Sequence, residues 1–266
     1  HKPDEYGAIH FHDDDIDDAR WEVDFTFDVP DIIKSGIYAA RLRINGEDSP
    51  ETEDFIPFVI KPPKGKTTSK VLFVLPSNSY IAYSNDNLAT NSVVAELLAG
   101  KVPVMSAADL YLNEHREYGL STYSLHSDGS GVCYSSRLRP ILNMRPKYRH
   151  WLSPSLWQLN ADLHLTDWLE EKNIDFDVMT DEDLHVEGVD LLNRYQVVLT
   201  GSHPEYSSEK MLAAYESYQL NGGRWIYLGA DGFYWISEYH PDNLNIIEVR
   251  KGEAGTRAWT ANPGEY

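Results

Sequence analysis

The residues best placed for chemistry lie in the stretch YQVVLTGSHPEY, residues 195–206. Val197, Val198 and Leu199 form a short apolar run, which reads as a buried strand. It breaks at Thr200, Gly201 and Ser202, and His203, Pro204 and Glu205 follow at once. Ser207 or Ser208 then caps a helix whose first turn carries Glu209. A strand, a glycine turn, an imidazole, a carboxylate and a helix present ionisable groups at the carboxyl end of a strand. In open parallel sheets that is where ligands bind. An imidazole beside a carboxylate can move a proton, and the carboxylate can hold a metal. Taken alone, the pair is also compatible with a turn-capping histidine and a solvated glutamate.

Two further places belong to the same edge if the elements alternate as the sequence suggests. Tyr83 lies in SYIAYSND, just after the apolar strand Val71–Leu75 (VLFVL). Tyr123 lies in a long stretch, Lys101–Ser155, rich in Tyr, Ser, Arg and Gly and outside the alternation of strand and helix. Stretches of this kind in compact domains are often functional, and this one is expected to fold over the carboxyl edge of the sheet. The topology thus permits a site of two phenols, a carboxylate and an imidazole.

The elements that must position these residues read as follows. Residues 1 to about 62 are β-rich. Trp21–Val29 alternates, with Trp21, Val23, Phe25, Phe27 and Val29 on one face. Ile37–Ile44 is a second strand ended by Asn45-Gly46, and Phe55–Ile60 a third, with Pro57 suggesting an edge. Few strands lie here, so they read as a partial sandwich and the chain as a fragment of a longer one. KPPKGKTTSK, residues 61–70, is an exposed linker, which sets the expected division at 1–66 and 67–266. After it, helices at Asn91–Ala99, Leu156–Lys172 and Glu209–Leu220, and a short helix within Leu184–Leu192, alternate with strands at Ile174–Met179, 197–199 and Arg224–Leu228. The fold class expected is α/β, with a parallel three-layer sheet.

Bulk properties narrow the function. The 266 residues carry a formal net charge of -19, which disfavours nucleic acid and anionic membranes as partners. It suits a neutral or cationic substrate, or a metal cation. No apolar run reaches membrane-spanning length. The single cysteine, Cys133, forms no internal disulfide and fits a reducing cytoplasm. As a nucleophile Cys133 is poorly placed, because it lies in the insertion and not at a strand-to-helix elbow. Near the start, His10, His12 and the aspartates of IHFHDDDIDD lack the glycine and terminal glutamate of an EF-hand loop and read as a solvated acidic turn.

SYIAYSND, YGLSTYSLHSDGSG, SSRLRPILNMRP, TGSHPEY and GGRWIYLGADGFYW resemble the large (beta) subunit of bacterial N,N-dimethylformamidase and its relatives, as do YGAIHFHDDD and SGIYAARL near the start. The resemblance covers essentially the whole chain, and the family's large chain extends beyond it at both ends. It implies a glutamine amidotransferase-like fold and an amide hydrolase acting on a small neutral amide. It further implies one iron, as Fe(III), held by Tyr83, Tyr123 and Glu205, with His203 assisting beside the metal. Tyr80 stands as an alternative to Tyr83, and Tyr118 to Tyr123. A further acid of the family's site lies beyond Tyr266. A small subunit and a homo-oligomer belong to the same expectation. Independently of the resemblance, phenolate and carboxylate are hard anionic donors that favour a hard cation, and Phe233, Tyr234 and Trp235 would suit the methyl groups of such a substrate. The rival expectation is a non-catalytic binding or assembly module of the same fold.

Overall fold

The structure is a computed structural model of the chain and describes residues 16–46, 52–87, 96–97, 100, 102–127, 129–152, 155–249 and 251. The acidic turn with His10 and His12, most of the helix expected at Asn91–Ala99, and Asp128 lie outside the described residues.

The first described elements are strands β1 (Gly36–Arg43) and β2 (Glu53–Ile60), an antiparallel pair whose register sets Ala39 opposite Pro57. Proline is tolerated there because a two-stranded sheet is all edge. The central sheet has four parallel strands. These are β3 (Val71–Leu75), β5 (Asp177–Thr180), β6 (Val197–Thr200) and β8 (Arg224–Tyr227), in the order β5-β3-β6-β8. Between β3 and β5 comes β4 (Tyr134–Ser136). It belongs to a second four-stranded sheet, with β7 (Tyr206–Ser207), β9 (Trp235–His240) and β10 (Asn243–Val249) in the order β4-β10-β9-β7.

Successive side chains of a strand point to opposite faces, and β3 shows what each face buries. Leu72 and Val74 pack with Leu184, Leu191, Leu192, Met211, Tyr215 and Tyr218. Those residues belong to helices α4 (Asp181–Glu187), α5 (Val189–Leu192) and α6 (Glu209–Leu220). Phe73 and Leu75 pack on the other face with Val178, Leu199, Ile37 and Val59. Leu165 of α3 (Leu159–Glu171) joins them there. Both faces of the sheet are therefore covered, the first by helices and the second by a helix and the β1–β2 hairpin. The hairpin is also tied to the 101–155 stretch, where Arg145 meets Asp54 at 2.5 Å and Lys147 meets Glu53 at 2.5 Å.

Local sequence explains most element ends. Ser208 accepts the N–H of Met211 and opens α6. Thr180 and Asp183 form a reciprocal capping box that opens α4 directly from β5. Gly188, at φ +60°, separates α4 from α5.

Two expectations need correction. Trp21–Val29 forms no strand, and Trp21, Val23, Phe25, Phe27 and Val29 are each more than half exposed. Among the described residues no strand pairs with this segment, so its alternation has no sheet face to bury. Helix α3 starts at Leu159 rather than Leu156, and Trp168 of its expected apolar stripe is exposed while Asp162 is buried. The polar residue faces inward because it has partners there, described below. Finally, Trp235–Val249 was not foreseen as strand, yet β9 and β10 pair there.

Candidate metal centre

Strands β3 and β6 are neighbours at the centre of the parallel sheet. The chain leaves β3 to form β5 on one side and returns to form β6 on the other. This is a topological switch point, where the crevice beyond the strand ends is open for a ligand. Tyr83, His203 and Glu205 all stand at that crevice.

Helix α1 (Ser77–Ala82) follows β3 directly, and Tyr83 caps its end. The Tyr83 backbone oxygen accepts a bond of 2.7 Å from the Asn143 amide, which fixes the turn. Thr122 N donates 2.9 Å to Ala82 O, so the loop carrying Tyr123 docks on the last turn of α1. The Tyr83 and Tyr123 rings stack with centroids 4.4 Å apart. The 101–155 stretch thus reaches the carboxyl edge, held by Arg139. That buried guanidinium donates to the carbonyls of Ser136 and Leu120 at 3.0 and 2.9 Å.

The turn after β6 is tight for a steric reason. A Cβ on Gly201 would stand 2.5 Å from Pro76 and 2.7 Å from Asp162 Oδ1. Asp162 accepts the N–H of Ser202 at 2.5 Å and also the hydroxyl of Tyr80. Burial pushes its carboxyl up to about 6, against the lowering effect of those bonds. The turn then delivers Glu205 beside α1, where Glu205 N donates 3.1 Å to Ser79 Oγ. From the other side, the N–H groups of Tyr234 and Trp235 donate to Glu205 O at 3.0 and 2.9 Å. The backbone of Glu205 is therefore held by two elements.

Its carboxylate is a point of convergence. Tyr83 OH lies 2.7 Å from Oε2 and 2.6 Å from Tyr123 OH, and Tyr123 OH lies 2.9 Å from Oε1. His203 Nε2 lies 3.0 Å from Oε2, and the indole N–H of Trp235 donates 3.1 Å to Oε1. Tyr206 OH donates 2.7 Å to Tyr123 OH. Glu205 is only 5% exposed. Burial alone would raise its pKa, but the bonds from His203, Tyr83 and Tyr123 outweigh that and hold it below the ordinary glutamate range. Burial pushes both Tyr83 and Tyr123 far above the ordinary tyrosine range, and the nearby anionic groups push them further. Without an added cation both are therefore neutral phenols. Lys251, wholly buried, places Nζ 3.1 Å from the centroid of the Tyr123 ring. That cation–π contact favours negative charge on the same phenol.

Three oxygen-bearing side chains thus meet within 2.9 Å of one another. Among the described residues no group of three or more His, Cys, Asp or Glu could hold an ion. Tyr83, Tyr123 and Glu205 fit a hard cation in number, chemistry and spacing. Of the alternatives, Tyr80 bonds Asp162, and Tyr118 is half-buried with its hydroxyl 3.0 Å from that of Tyr111. Neither is drawn into the cluster. Of the expected aromatic wall, Trp235 reaches the site. Phe233 packs against Trp225 and Tyr215, and Tyr234 is 60% exposed. Cys133 makes its thiol bond to Gly131 O at 3.6 Å, and no cysteine occupies the elbow at 201–205.

Four contributors escaped the sequence reading: Tyr206, Trp235 in its bonding role, Lys251 and Trp157. Trp157 sets its ring 5.7 Å from Tyr83 and 5.0 Å from His203. Tyr206 had a signal, since it follows Glu205 at the start of β7. The other three arrive from distant segments.

The chain is 48% identical over 267 residues to the N,N-dimethylformamidase beta subunit of Paracoccus aminophilus, and 47% identical to that of an Alcaligenes species. In both cases the whole chain is covered, but it spans only 34% of the relative's length. Residues 1–266 match the family described as N,N-dimethylformamidase beta subunit-like, C-terminal, and the chain belongs to that family.

Proposed function

We propose that this chain carries the metal centre of an amide hydrolase that cleaves a small N-substituted formamide to an amine and formate. The observation that carries the reading is the meeting of Tyr83, Tyr123 and Glu205 within 2.9 Å beside the switch point. Its kinship with chains named N,N-dimethylformamidase beta subunit supports the substrate class. In this reading the ion is one iron, as Fe(III). A trivalent ion offsets the negative charge of two phenolates and one carboxylate. It also supplies the positive charge that phenols pushed far above their ordinary range need in order to ionise. The central parallel sheet, covered on both faces, is the observation in favour of a glutamine amidotransferase-like architecture.

When bound, the ion supplies a Lewis acid for the amide carbonyl and lowers the pKa of water. The chain's own residues do the rest. His203 is oriented by its Nε2, which donates 3.0 Å to the Glu205 carboxylate; its other ring nitrogen takes a proton from the attacking water and delivers it to the departing nitrogen. Water thus adds to the formyl carbon, the C–N bond breaks, and formate and the protonated amine leave. Trp235 N–H and Ser79 Oγ hold Glu205 so that its side chain does not swing away. Lys251 keeps positive charge against Tyr123. Assembly with another subunit belongs to the same proposal, since both relatives are named as beta subunits.

Elemental analysis with a visible spectrum of the full-length protein tests the reading. Tyrosinate on Fe(III) absorbs in the visible, so stoichiometric iron and a coloured protein are expected. Colourless, metal-free protein that still hydrolyses dimethylformamide would overturn the metal reading. Metal-free, inactive protein would favour the binding-module alternative.

A further inference from the structure

One place beside the site holds polar groups that the network above does not use. It is the start of α3. Gln158 is the residue before the helix, in a left-handed conformation at φ +48°. A glutamine adopts that conformation only when its surroundings hold it there, and such strain concentrates at functional sites. Its side chain is 1% exposed, yet neither the amide nitrogen nor the amide oxygen has a hydrogen-bond partner. The preceding residue is Trp157, whose buried indole nitrogen is likewise unpartnered. The Trp157 ring stands 5.0 Å from the His203 ring and 5.7 Å from that of Tyr83, and it is stacked on His150 at 4.8 Å. The same helix start is anchored to the elbow. Gln158 O accepts from Asp162 N at 3.0 Å, and Asp162 in turn holds Ser202, the residue before His203.

An unpaired buried amide and an unpaired buried indole N–H are each costly to keep. A strained, rigid pair of them, one turn of chain from the catalytic elbow, makes sense if a ligand completes their bonding. We infer that Trp157 and Gln158 bind the carbonyl end of the substrate. This inference rests on the amide-hydrolase reading above and assigns the residues that recognise its substrate. The Trp157 N–H and the Gln158 amide N–H donate to the carbonyl oxygen. Gln158 Oε1 accepts a hydrogen bond from the attacking water and orients it. The ligand class is a small tertiary amide, which offers a carbonyl acceptor and no N–H donor.

The test uses the full-length protein with its metal. Gln158→Glu keeps the size and one acceptor but removes the donor NH2, and Trp157→Phe removes the indole N–H. Each is expected to raise KM for dimethylformamide by about tenfold or more. Each should also weaken binding of N,N-dimethylacetamide, followed as the ligand-induced rise in melting temperature. Iron content and the visible band should stay as in the wild type, which separates loss of substrate contact from loss of the centre. Gln158→Leu serves as a second variant if Gln158→Glu folds poorly. If the folded variants keep wild-type KM and wild-type response to the acetamide, ordinary water fills the space and the inference fails. If the wild type itself neither cleaves nor binds these amides, the amide-hydrolase reading fails first, and that outcome is distinct.

Discussion

Replacing Glu205 by glutamine probes the centre most directly, because the structure sets the cost. The carboxylate meets four groups at 2.7 to 3.1 Å: Tyr83, His203, Tyr123 and Trp235. The Trp235 indole can only donate, so the glutamine oxygen must take the Oε1 position. Its NH2 then faces Tyr83 OH and His203 Nε2, both of which can accept. The network survives in a reversed sense but loses its charge. Each bond to a charged acceptor is worth about 1 kcal/mol more than a neutral one. Four such losses, set against relief from burying a carboxylate, leave a net destabilisation of about 1–3 kcal/mol in metal-free protein. Urea titration of wild type and Glu205→Gln measures it. Since the folded pKa of Glu205 is depressed, its contribution is present above the ordinary glutamate range and is lost as pH falls below that range. The gap between the two proteins should therefore narrow in acid. Iron adds a second arm. A ligand at a hundred times its Kd stabilises by about 2.7 kcal/mol, so wild type gains on iron loading and Glu205→Gln gains little. Glu205→Gln protein with wild-type iron content and turnover would refute the assignment of Glu205 as a ligand.

Three further outcomes follow from the same geometry. Tyr123→Phe should lower iron occupancy and shift or bleach the visible band, whereas Tyr118→Phe, whose hydroxyl bonds Tyr111 instead, should leave both unchanged; elemental analysis decides. His203→Ala should keep iron and colour while kcat falls on the order of a hundredfold to ten-thousandfold, and equal loss of iron would make it a ligand instead. Asp181 is fully buried with its Oδ2 accepting the N–H of Asn78 at 3.0 Å, and burial pushes its carboxyl up to about 8. A raised carboxyl favours the fold below the ordinary aspartate value and loses that contribution as pH rises through 8. Wild type should therefore lose stability relative to Asp181→Asn between about pH 5 and 8, at up to roughly 1.4 kcal/mol per pH unit, in urea titrations across that range.

The legible part of the site was its local part. His203 and Glu205 announce themselves because the strand, the glycine turn and the helix start lie within a dozen residues. Tyr83 follows its strand as closely. Tyr123 needed either the resemblance or the insertion argument, because nothing nearby ties it to the edge. Lys251, Trp157 and the bond from Trp235 were hidden, since each reaches the site by long-range packing that no periodicity encodes. The parallel strands were readable as continuous apolar runs buried on both faces. The hairpin of β9 and β10 was not, because ISEYH and NLNI mix polar residues into a strand with only part of its surface in the core. At Trp21–Val29 the alternation was real, but a strand needs a partner as well as a pattern.

The contacts that draw the centre together are far apart along the chain. Tyr83 and Tyr123 are 40 residues apart, Tyr123 and Glu205 82, and Tyr83 and Glu205 122. Every one closes a long loop whose entropy must be overcome before the contact gives anything back. Parallel strands with such separations assemble slowly, so the centre belongs among the last features of the molecule to form. No short peptide excised from the chain would carry it. A single proteolytic cut between Tyr123 and His203 would divide its donors between two pieces, although β3 and β6 would each keep their own sequence. Metal occupancy of the centre is thus a sensitive reporter of a completed fold, because partly assembled molecules present its oxygens one at a time.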